Sequence, residues 1–297
     1  MSTLLKKNFK VGLIQLAAGS DKQKNLAKAR GKILEAAKAG AQVIVLPECF
    51  NSPYGCQYFP DYAEPIEPSP PSEEQSPSWN MLSSAAKETN TYVVGASIPE
   101  LSQDKKTYYN TAFVFNPKGE LLATHRKTHL FDIDIPGKIK FIESDVLSAG
   151  NKVTIVDLPD YGKIGLAICY DVRFPEMAMV AARKGAFMLV YPGAFNTTTG
   201  PMHWTLQARA RAMDNQVYVA MCSPARDTTS TYHAYGHSMV VNPNADVITE
   251  LEEKEDIAYA DIDGSKIDEI RKGVPLYTQR RFDVYPDVSA GKVRYEE

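Results

Sequence analysis

The stretch KIGLAICYDVRFPEMAMVAARKGAFMLVY, residues 163–191, contains one complete strand–helix–strand unit. Lys163–Ile168 and Ala186–Tyr191 are short apolar runs, as expected for strands that are covered on both faces. Between them Pro175–Lys184 is predicted to be a helix, because proline stands near its start and glycine just past its end. The unit predicts an α/β fold, with Cys169 at the corner where the first strand turns towards the helix.

The N-terminal part of the chain repeats this order. Lys10–Leu16 and Ala41–Leu46 are predicted strands, and Asp21–Ala39 between them has helical periodicity, with Ser20 as its predicted cap. Hairpins added to such units favour two mixed sheets with helices outside them over a purely parallel sheet. The other predicted elements are the strands Thr91–Ser97, Tyr108–Phe115, Glu120–His125, Val153–Leu158, Gln216–Met221, Gly236–Asn242, Val247–Leu251 and Ile257–Ile262, and the helices Ser78–Thr89, Met202–Met213 and Ser265–Lys272.

Two segments depart from this regular pattern. Residues 49–77 contain seven prolines, which exclude regular structure over most of the segment, and we interpret them as a loop that lines a functional site. The stretch from about 273 to 297 is polar and is predicted to be an irregular C-terminal tail. No repeat and no linker divides the sequence, so residues 1–297 are predicted to form a single domain.

Composition excludes several classes of function. The 297 residues carry a formal net charge of −3 with no basic stripe, so nucleic-acid binding is not expected. The apolar runs are too short to span a bilayer, and the N-terminus lacks the order of a signal peptide. We therefore expect a cytoplasmic protein, with a mitochondrial pool as the alternative. Its four cysteines are widely spread and are predicted to be free thiols.

Cys169 is the first candidate for chemistry. A thiol beside the positive end of a helix is expected to have a lowered pKa and an accessible sulfur. Backbone N–H groups at the same corner can hold a developing oxyanion. The alternative at this stage is a buried structural cysteine, which behaves as a small hydrophobic residue.

Two charged residues follow predicted strands in the same way. Glu48 ends the apolar run 43–46, at the edge of the sheet where α/β proteins place ligands, and partial burial would suit it to act as a general base. Lys127 ends the second arm of a hairpin and can stabilise an oxyanion. A helix cap or an ion pair for Glu48, and a surface position for Lys127, are the alternatives. His125 and His129 do not form a metal-binding motif.

Taken in order, these segments resemble the nitrilase superfamily, or carbon–nitrogen hydrolases. The resemblance rests on LPE ending at Glu48, on RKTHLF around Lys127 and on CYDVRFPE beginning at Cys169, and it covers about residues 8–285. It implies a Glu–Lys–Cys triad at these residues, with Glu143 as a second glutamate. It also implies a four-layer α-β-β-α sandwich, a homodimer, and neither a metal nor an organic cofactor.

Longer segments resemble the branch of this family that hydrolyses the terminal amide of 2-oxoglutaramate through a cysteine thioester. They are residues 46–55, 125–144, 191–201 and 214–220. The expected partner is thus a small amide that carries a carboxylate.

Four residues are predicted to contact this substrate. Arg173 lies four residues after Cys169, roughly on the same helical face, and is expected to hold the carboxylate unless it forms an ion pair with Glu176 or Asp171. The remaining three candidates are Tyr54 for the same carboxylate, the backbone N–H of Tyr170 for the oxyanion, and Phe195 for a pocket wall.

Three other functions are left open by the sequence. One is an amidase of the same superfamily that acts on deaminated glutathione. Another is an N-carbamoyl amidohydrolase, which releases carbon dioxide as well as ammonia. The last is a non-catalytic scaffold protein with the same fold, against which the complete set of Glu48, Lys127 and Cys169 argues.

Overall fold

The computed structural model describes residues 4–137 and 139–284, and the backbone of residues 295–296. The strands are β1 Phe9–Gln15, β2 Val43–Leu46, β3 Glu64–Pro65, β4 Tyr92–Leu101, β5 Tyr108–Phe115, β6 Leu121–Arg126, β7 Asp132–Ile135, β8 Ile139–Ile142, β9 Val153–Leu158, β10 Gly162–Leu166, β11 Ala186–Pro192, β12 Tyr218–Cys222, β13 Met239–Val241, β14 Val247–Glu250, β15 Asp256–Ile262 and β16 Tyr295–Glu296. The helices are α1 Lys22–Lys38, α2 Phe59–Tyr62, α3 Pro77–Thr89, α4 Pro175–Arg183, α5 Gly200–Asn215, α6 Gly264–Gly273 and α7 Leu276–Gln279.

Most of the strands form two mixed sheets. In the first sheet the order is β15-β1-β2-β4-β5-β6, with β3 paired to β4, and in the second it is β14-β13-β12-β11-β10-β9-β16. Each sheet has parallel pairs at its centre, β1–β2–β4 and β10–β11–β12, and antiparallel strands beside them. This mixture confirms the prediction that hairpins are added to β-α-β units.

The two sheets pack face to face with helices outside them. Alternate residues of β1 and β2, such as Val11 and Val43, join the side chains of the second sheet in one core. Residues of opposite orientation, such as Ile44, pack with α1 and α3 in a separate cluster. On the far side α4 and α5 cover the second sheet through Ala181 and Trp204. The expected four-layer α-β-β-α sandwich is therefore confirmed.

Several local predictions are corrected. Asp21, not Ser20, caps α1, because its carboxylate accepts a hydrogen bond from the backbone of Lys24. The proline-rich segment 49–77 is irregular over most of its length, as predicted, and contains the short elements α2 and β3. The hairpin of β7 and β8 was not predicted, since its strands are short and half exposed.

The predicted irregular tail contains α7 and β16, which pairs with β9, while residues 285–294 and 297 lie outside the described residues. None of the helices in the described part of the chain combines the length and apolar character needed to cross a bilayer.

Candidate active site

Glu48 lies two residues beyond the end of β2 and is fully buried. Its Oε1 accepts hydrogen bonds from Nζ of Lys127 at 3.0 Å and from Nδ2 of Asn110 at 2.8 Å. Its Oε2 accepts one from the backbone N–H of Ala194 at 2.7 Å. Burial raises the pKa of Glu48, and the charge of Lys127 only partly offsets this effect. A carboxylate with a raised pKa is suited to exchange a proton near neutral pH.

Lys127 directly follows β6, and its side chain has no exposed surface, so it is not a surface lysine. Its backbone N–H donates to the carbonyl of Asn110, which continues the pairing of β5 with β6. Its Nζ donates to Glu48 and, at 2.9 Å, to Oε1 of Glu143. Burial alone would lower the pKa of Lys127, but these two carboxylates outweigh it and hold that pKa well above its usual value. The amine is thus a fixed cation.

Glu143 begins a short 3₁₀ helix, Glu143–Asp145, after β8. Its Oε1 accepts from Lys127 and, at 2.8 Å, from the hydroxyl of Tyr54, while Oε2 accepts from the backbone N–H of Phe131 at 2.7 Å. The predicted second glutamate therefore contacts Lys127. The hydroxyl of Tyr54 thus donates its hydrogen bond to Glu143, and burial raises the pKa of Tyr54 well above its usual value.

Cys169 lies at the predicted corner, where it begins a 3₁₀ helix, Cys169–Arg173, between β10 and α4. Its φ of 48° is left-handed, which is unusual for a residue with a side chain. A Cβ on Gly193 would lie 3.0 Å from Cα of Cys169, so the loop after β11 comes into close contact here. Strand, turn and loop together fix the position of the sulfur.

The environment of the thiol differs from our prediction. Cys169 is only 3% exposed, and burial raises its pKa well above the ordinary value, as does the negative charge of Glu48. The predicted lowering is wrong chiefly because the thiol is buried, and also because the site contains two carboxylates and the short 3₁₀ turn offers little helix dipole. A thiol with a raised pKa needs a base to become a nucleophile, and Glu48 is close enough for its charge to raise that pKa.

Arg173 ends the same turn. Its guanidinium carbon lies 4.8 Å from the ring centre of Phe195 and 5.4 Å from that of Tyr170, and its NH1 lies 3.1 Å from Nδ1 of His203. Arg173 does not share a helical face with Cys169 as predicted, because the turn is a 3₁₀ helix, which repeats every three residues. Its negative neighbour in sequence, Asp171, binds other groups, and within residues 4–137 and 139–284 Arg173 forms no ion pair.

Phe195 and Tyr170 support this arginine. Phe195 follows β11, is buried, and packs edge-on against Trp204 at 5.0 Å between ring centres. Tyr170 is half buried and contacts Phe131 at 5.2 Å. Its backbone N–H stands in the first turn of the 3₁₀ helix, where such groups have no partner within the helix.

Sequence reasoning missed two groups that bind Glu48. Asn110 and the backbone of Ala194 lie 62 and 146 residues away from it in sequence. No local pattern announces them, since one is an ordinary strand residue and the other contributes only its main chain.

His125 and His129, considered for a metal, instead both contact the carboxylate of Asp171. Among residues 4–137 and 139–284 no group of three or more His, Cys, Asp and Glu side chains could hold a metal ion.

Comparisons with known proteins agree on one family for this chain. The carbon–nitrogen hydrolase family model matches residues 10–272. A hydrolase of Schizosaccharomyces pombe, C26A3.11, is 59% identical over 94% of this chain and 84% of its own length. Omega-amidase NIT2 of Bos taurus is 54% identical over 96% of this chain and 99% of its own length.

A solved structure agrees with these sequence relatives. The crystal structure of Saccharomyces cerevisiae Nit3, a member of branch 10 of the nitrilase superfamily, matches with a TM-score of 0.87 and 48% identity. The match covers 95% of this chain and 99% of that one.

Proposed function

The chain belongs to the carbon–nitrogen hydrolase family and is an amidohydrolase, and we propose that it is an omega-amidase that hydrolyses 2-oxoglutaramate and 2-oxosuccinamate. The observation that carries the choice of substrate is the Arg173 guanidinium. It lies in the same turn as Cys169, on the faces of two aromatic rings, and forms no ion pair within residues 4–137 and 139–284. Such a cation can bind a substrate carboxylate with two hydrogen bonds.

The proposed reaction begins with a proton transfer. Glu48 takes the proton of the Cys169 thiol, and the sulfur attacks the amide carbon. The raised pKa of both groups supports transfer at the moment of attack over a preformed thiolate. General base catalysis of this kind typically contributes about 10²–10⁴ in rate.

Lys127 and the backbone N–H of Tyr170 are the proposed partners of the oxyanion. The lysine is charged, buried and fixed by two carboxylates, so it needs no rearrangement when negative charge develops on oxygen. A single donor of this kind is typically worth about 10²–10³ in rate. Tyr170 adds a neutral donor beside the nucleophile.

Release of ammonia and hydrolysis complete the cycle. Protonated Glu48 gives its proton to the departing nitrogen, the carbon–nitrogen bond breaks, and a thioester to Cys169 remains. Glu48 then removes a proton from water, which attacks the thioester and returns the free thiol and the 2-oxo dicarboxylate. Glu143, held by Tyr54, keeps Lys127 in place throughout.

A coupled assay of ammonia release tests this proposal. The purified protein is given 2-oxoglutaramate and, as a matched control, 4-oxopentanamide, in which a methyl group replaces the carboxylate. We expect a kcat/KM at least about 10-fold higher for the first, because a charge-assisted hydrogen bond contributes about 1.5–3 kcal/mol. Equal values would contradict the carboxylate anchor, and no release from 2-oxoglutaramate would refute the function.

The same assay distinguishes the two alternative amidase functions. Deaminated glutathione is larger and peptide-like, and a higher kcat/KM for it would favour that branch of the family. An N-carbamoyl amino acid would release carbon dioxide along with ammonia, so detection of carbon dioxide decides that case.

We also propose that the protein is a homodimer. An apolar stripe on the outer face of α5, formed by Met202, Leu206 and Met213, is more than half exposed in the single chain and supports this. Light scattering after size-exclusion chromatography tests the proposal: a dimer that Leu206→Glu converts to a monomer is expected, and a wild-type monomer would contradict it. The cytoplasmic location stays a prediction.

A further inference from the structure

Asp171 is a buried carboxylate for which the proposed reaction has no chemical use. Its side chain has no exposed surface, and its two oxygens face five N–H groups. Oδ1 accepts from the backbone N–H of His129 and from its ring Nδ1, both at 2.8 Å. Oδ2 accepts from the backbone N–H of Ile168 at 2.9 Å and of Thr128 at 3.4 Å, and from Nε2 of His125 at 3.1 Å. These five contacts therefore fix the orientation of the carboxylate.

These donors come from two separate segments. Residues 125–129 surround Lys127, and residues 168–173 surround Cys169. The carboxylate of Asp171 thus joins the backbone just after the lysine, and the ring of His125 before it, to the backbone before the nucleophile. No other side chain in the described ranges makes hydrogen bonds to the backbone of both segments.

The nucleophile needs such support because its backbone is strained. Cys169 has a left-handed φ of 48°, which residues with a side chain adopt only when their surroundings impose it. Asp171 braces the turn twice: its carboxylate accepts from the N–H of Ile168, and its own N–H donates to the carbonyl of Ile168 at 3.0 Å.

We propose that Asp171 is a positioning residue that holds the amine of Lys127 and the sulfur of Cys169 at their reactive separation. The inference rests on the proposed roles of these two residues. Asp171 acts through the backbone of both segments and not on the substrate, and His125 and His129 fix its orientation. A displacement of about 1 Å between reacting groups typically costs about 100-fold in rate.

Asp171→Asn is the first test. The amide keeps the size of the side chain, but its NH₂ group must face a backbone N–H on either side, so one of the two segments is released. We expect kcat to fall about 100-fold while KM stays within about twofold. The rate at which iodoacetamide alkylates Cys169 is expected to fall with kcat. A folded variant with unchanged kcat, or with a raised KM alone, would overturn the proposal.

A pair of variants at His129 tests the same contact more gently. The His129 ring stacks on Phe174, with ring centres 3.5 Å apart. His129→Phe keeps this stacking but loses the Nδ1–H donor, whereas His129→Asn loses the stacking but keeps an N–H in the Nδ1 position. We expect the phenylalanine variant to lose about 10-fold in kcat and the asparagine variant to retain most of it. The reverse order would overturn the inference, even if Asp171→Asn does not fold.

Glu64→Gln is the matched control for the loss of a buried carboxylate. Glu64 is equally buried, accepts from the backbone and hydroxyl of Ser78, and pairs with Lys22 at 3.1 Å. Its kcat and alkylation rate are expected to stay within about twofold of wild type, and an equal loss here would overturn a specific role for Asp171. The alkylation rate also distinguishes failure of this proposal from failure of the proposed function, because it reports on Cys169 even if 2-oxoglutaramate is not the substrate.

Discussion

The amine nitrogen of Lys127 lies 3.0 Å from Oε1 of Glu48, and neither side chain has any surface open to solvent. A buried pair of this kind adds little net stability, because the cost of removing both charges from water offsets their attraction. Here Glu143 lies 2.9 Å from the same amine, so two carboxylates share one cation. Removing a member of this cluster is therefore expected to affect stability and catalysis in different ways.

Lys127→Met tests the cluster directly. The variant leaves Glu48 and Glu143 buried without their cation, so we expect activity to be lost and the free energy of unfolding to fall by about 3–5 kcal/mol near neutral pH. Without the lysine the pKa of Glu48, already raised by burial, rises further. A carboxyl whose pKa is raised by folding stabilises the folded state at low pH. This stabilisation is lost as the pH rises through the pKa of the folded state.

Urea unfolding at about pH 5 and about pH 8 therefore measures the prediction. We expect the variant to be relatively more stable at the lower pH. Adding Glu143→Gln should restore part of the stability without restoring activity. If Lys127→Met is as stable as wild type at both pH values, Lys127 does not neutralise two buried carboxylates.

Cys169→Ala should abolish release of ammonia, because the sulfur of Cys169 is the nucleophile of the proposed reaction. The thermal midpoint should change by no more than a few degrees, since removing one sulfur from a packed site costs about 1 kcal/mol. Cys56→Ala, at a half-buried cysteine, is the control and should keep full activity. Substantial turnover by a folded Cys169→Ala protein would refute the assignment of the nucleophile.

Thiol labelling of the wild-type protein provides an independent check. Burial raises the pKa of Cys49, Cys56 and Cys222, and the proposed reaction assigns a base to none of them. Iodoacetamide should therefore modify Cys169 first and to one equivalent, as read by mass spectrometry. Slow modification of all four cysteines at equal rates would instead favour the non-catalytic scaffold.

Arg173→Lys should raise KM for 2-oxoglutaramate by about 10-fold or more, because lysine cannot reproduce a two-pronged contact with a carboxylate. The KM for 4-oxopentanamide, which has no carboxylate, should not change. Steady-state kinetics with both substrates distinguish the two cases. An unchanged KM for 2-oxoglutaramate would remove Arg173 from the proposed substrate site.

The contact between His203 and Arg173 leads us to expect that substrate binding depends on pH. Its Nδ1 lies 3.1 Å from NH1 of Arg173, and burial together with the charge of Arg173 lowers the pKa of His203. At neutral pH the ring is uncharged and accepts from the guanidinium. As pH falls through the lowered pKa, the ring gains a proton and repels Arg173, so KM should rise in acid.

Two variants isolate this effect. His203→Asn keeps an acceptor oxygen but cannot titrate, so it should remove the acid inflection of KM while leaving KM near the wild-type value at neutral pH. His203→Leu removes the acceptor and should raise KM several-fold at every pH. The same inflection in both variants and the wild type would assign it to another group.

Gly193→Ala should impair catalysis through the backbone of Cys169, the proposed nucleophile. The added Cβ would lie 3.0 Å from Cα of Cys169 and 3.4 Å from the Trp204 ring, so one of them must move. We expect a loss of about 1–3 kcal/mol in stability and about 100-fold in kcat. Gly31→Ala, in α1 with open space around it, should instead stabilise by about 0.5–1 kcal/mol without changing kcat. Equal effects at both positions would contradict the close contact.

The sequence predicted the order of strands and helices well where apolar periodicity was strong. It placed Glu48, Lys127 and Cys169 at strand ends, and the structure brings the three together with Glu143. It failed at the hairpin of β7 and β8, because four-residue strands with little burial leave a weak periodic signal. It also failed to predict how Asp171 is used, since an acidic residue next to a motif cysteine has no fixed partner in sequence.

By itself the sequence determined which side chains stand at the ends of the central strands, because strand periodicity and the residues that end strands are local properties of the chain. The tertiary structure decided the direction in which the pKa of each of those side chains shifts. It buried the Cys169 thiol beside Glu48, which reversed the expected direction of its pKa. It also supplied Glu48 with donors 62, 79 and 146 residues distant. Burial and partners of this kind depend on packing between sheets, which no local pattern encodes.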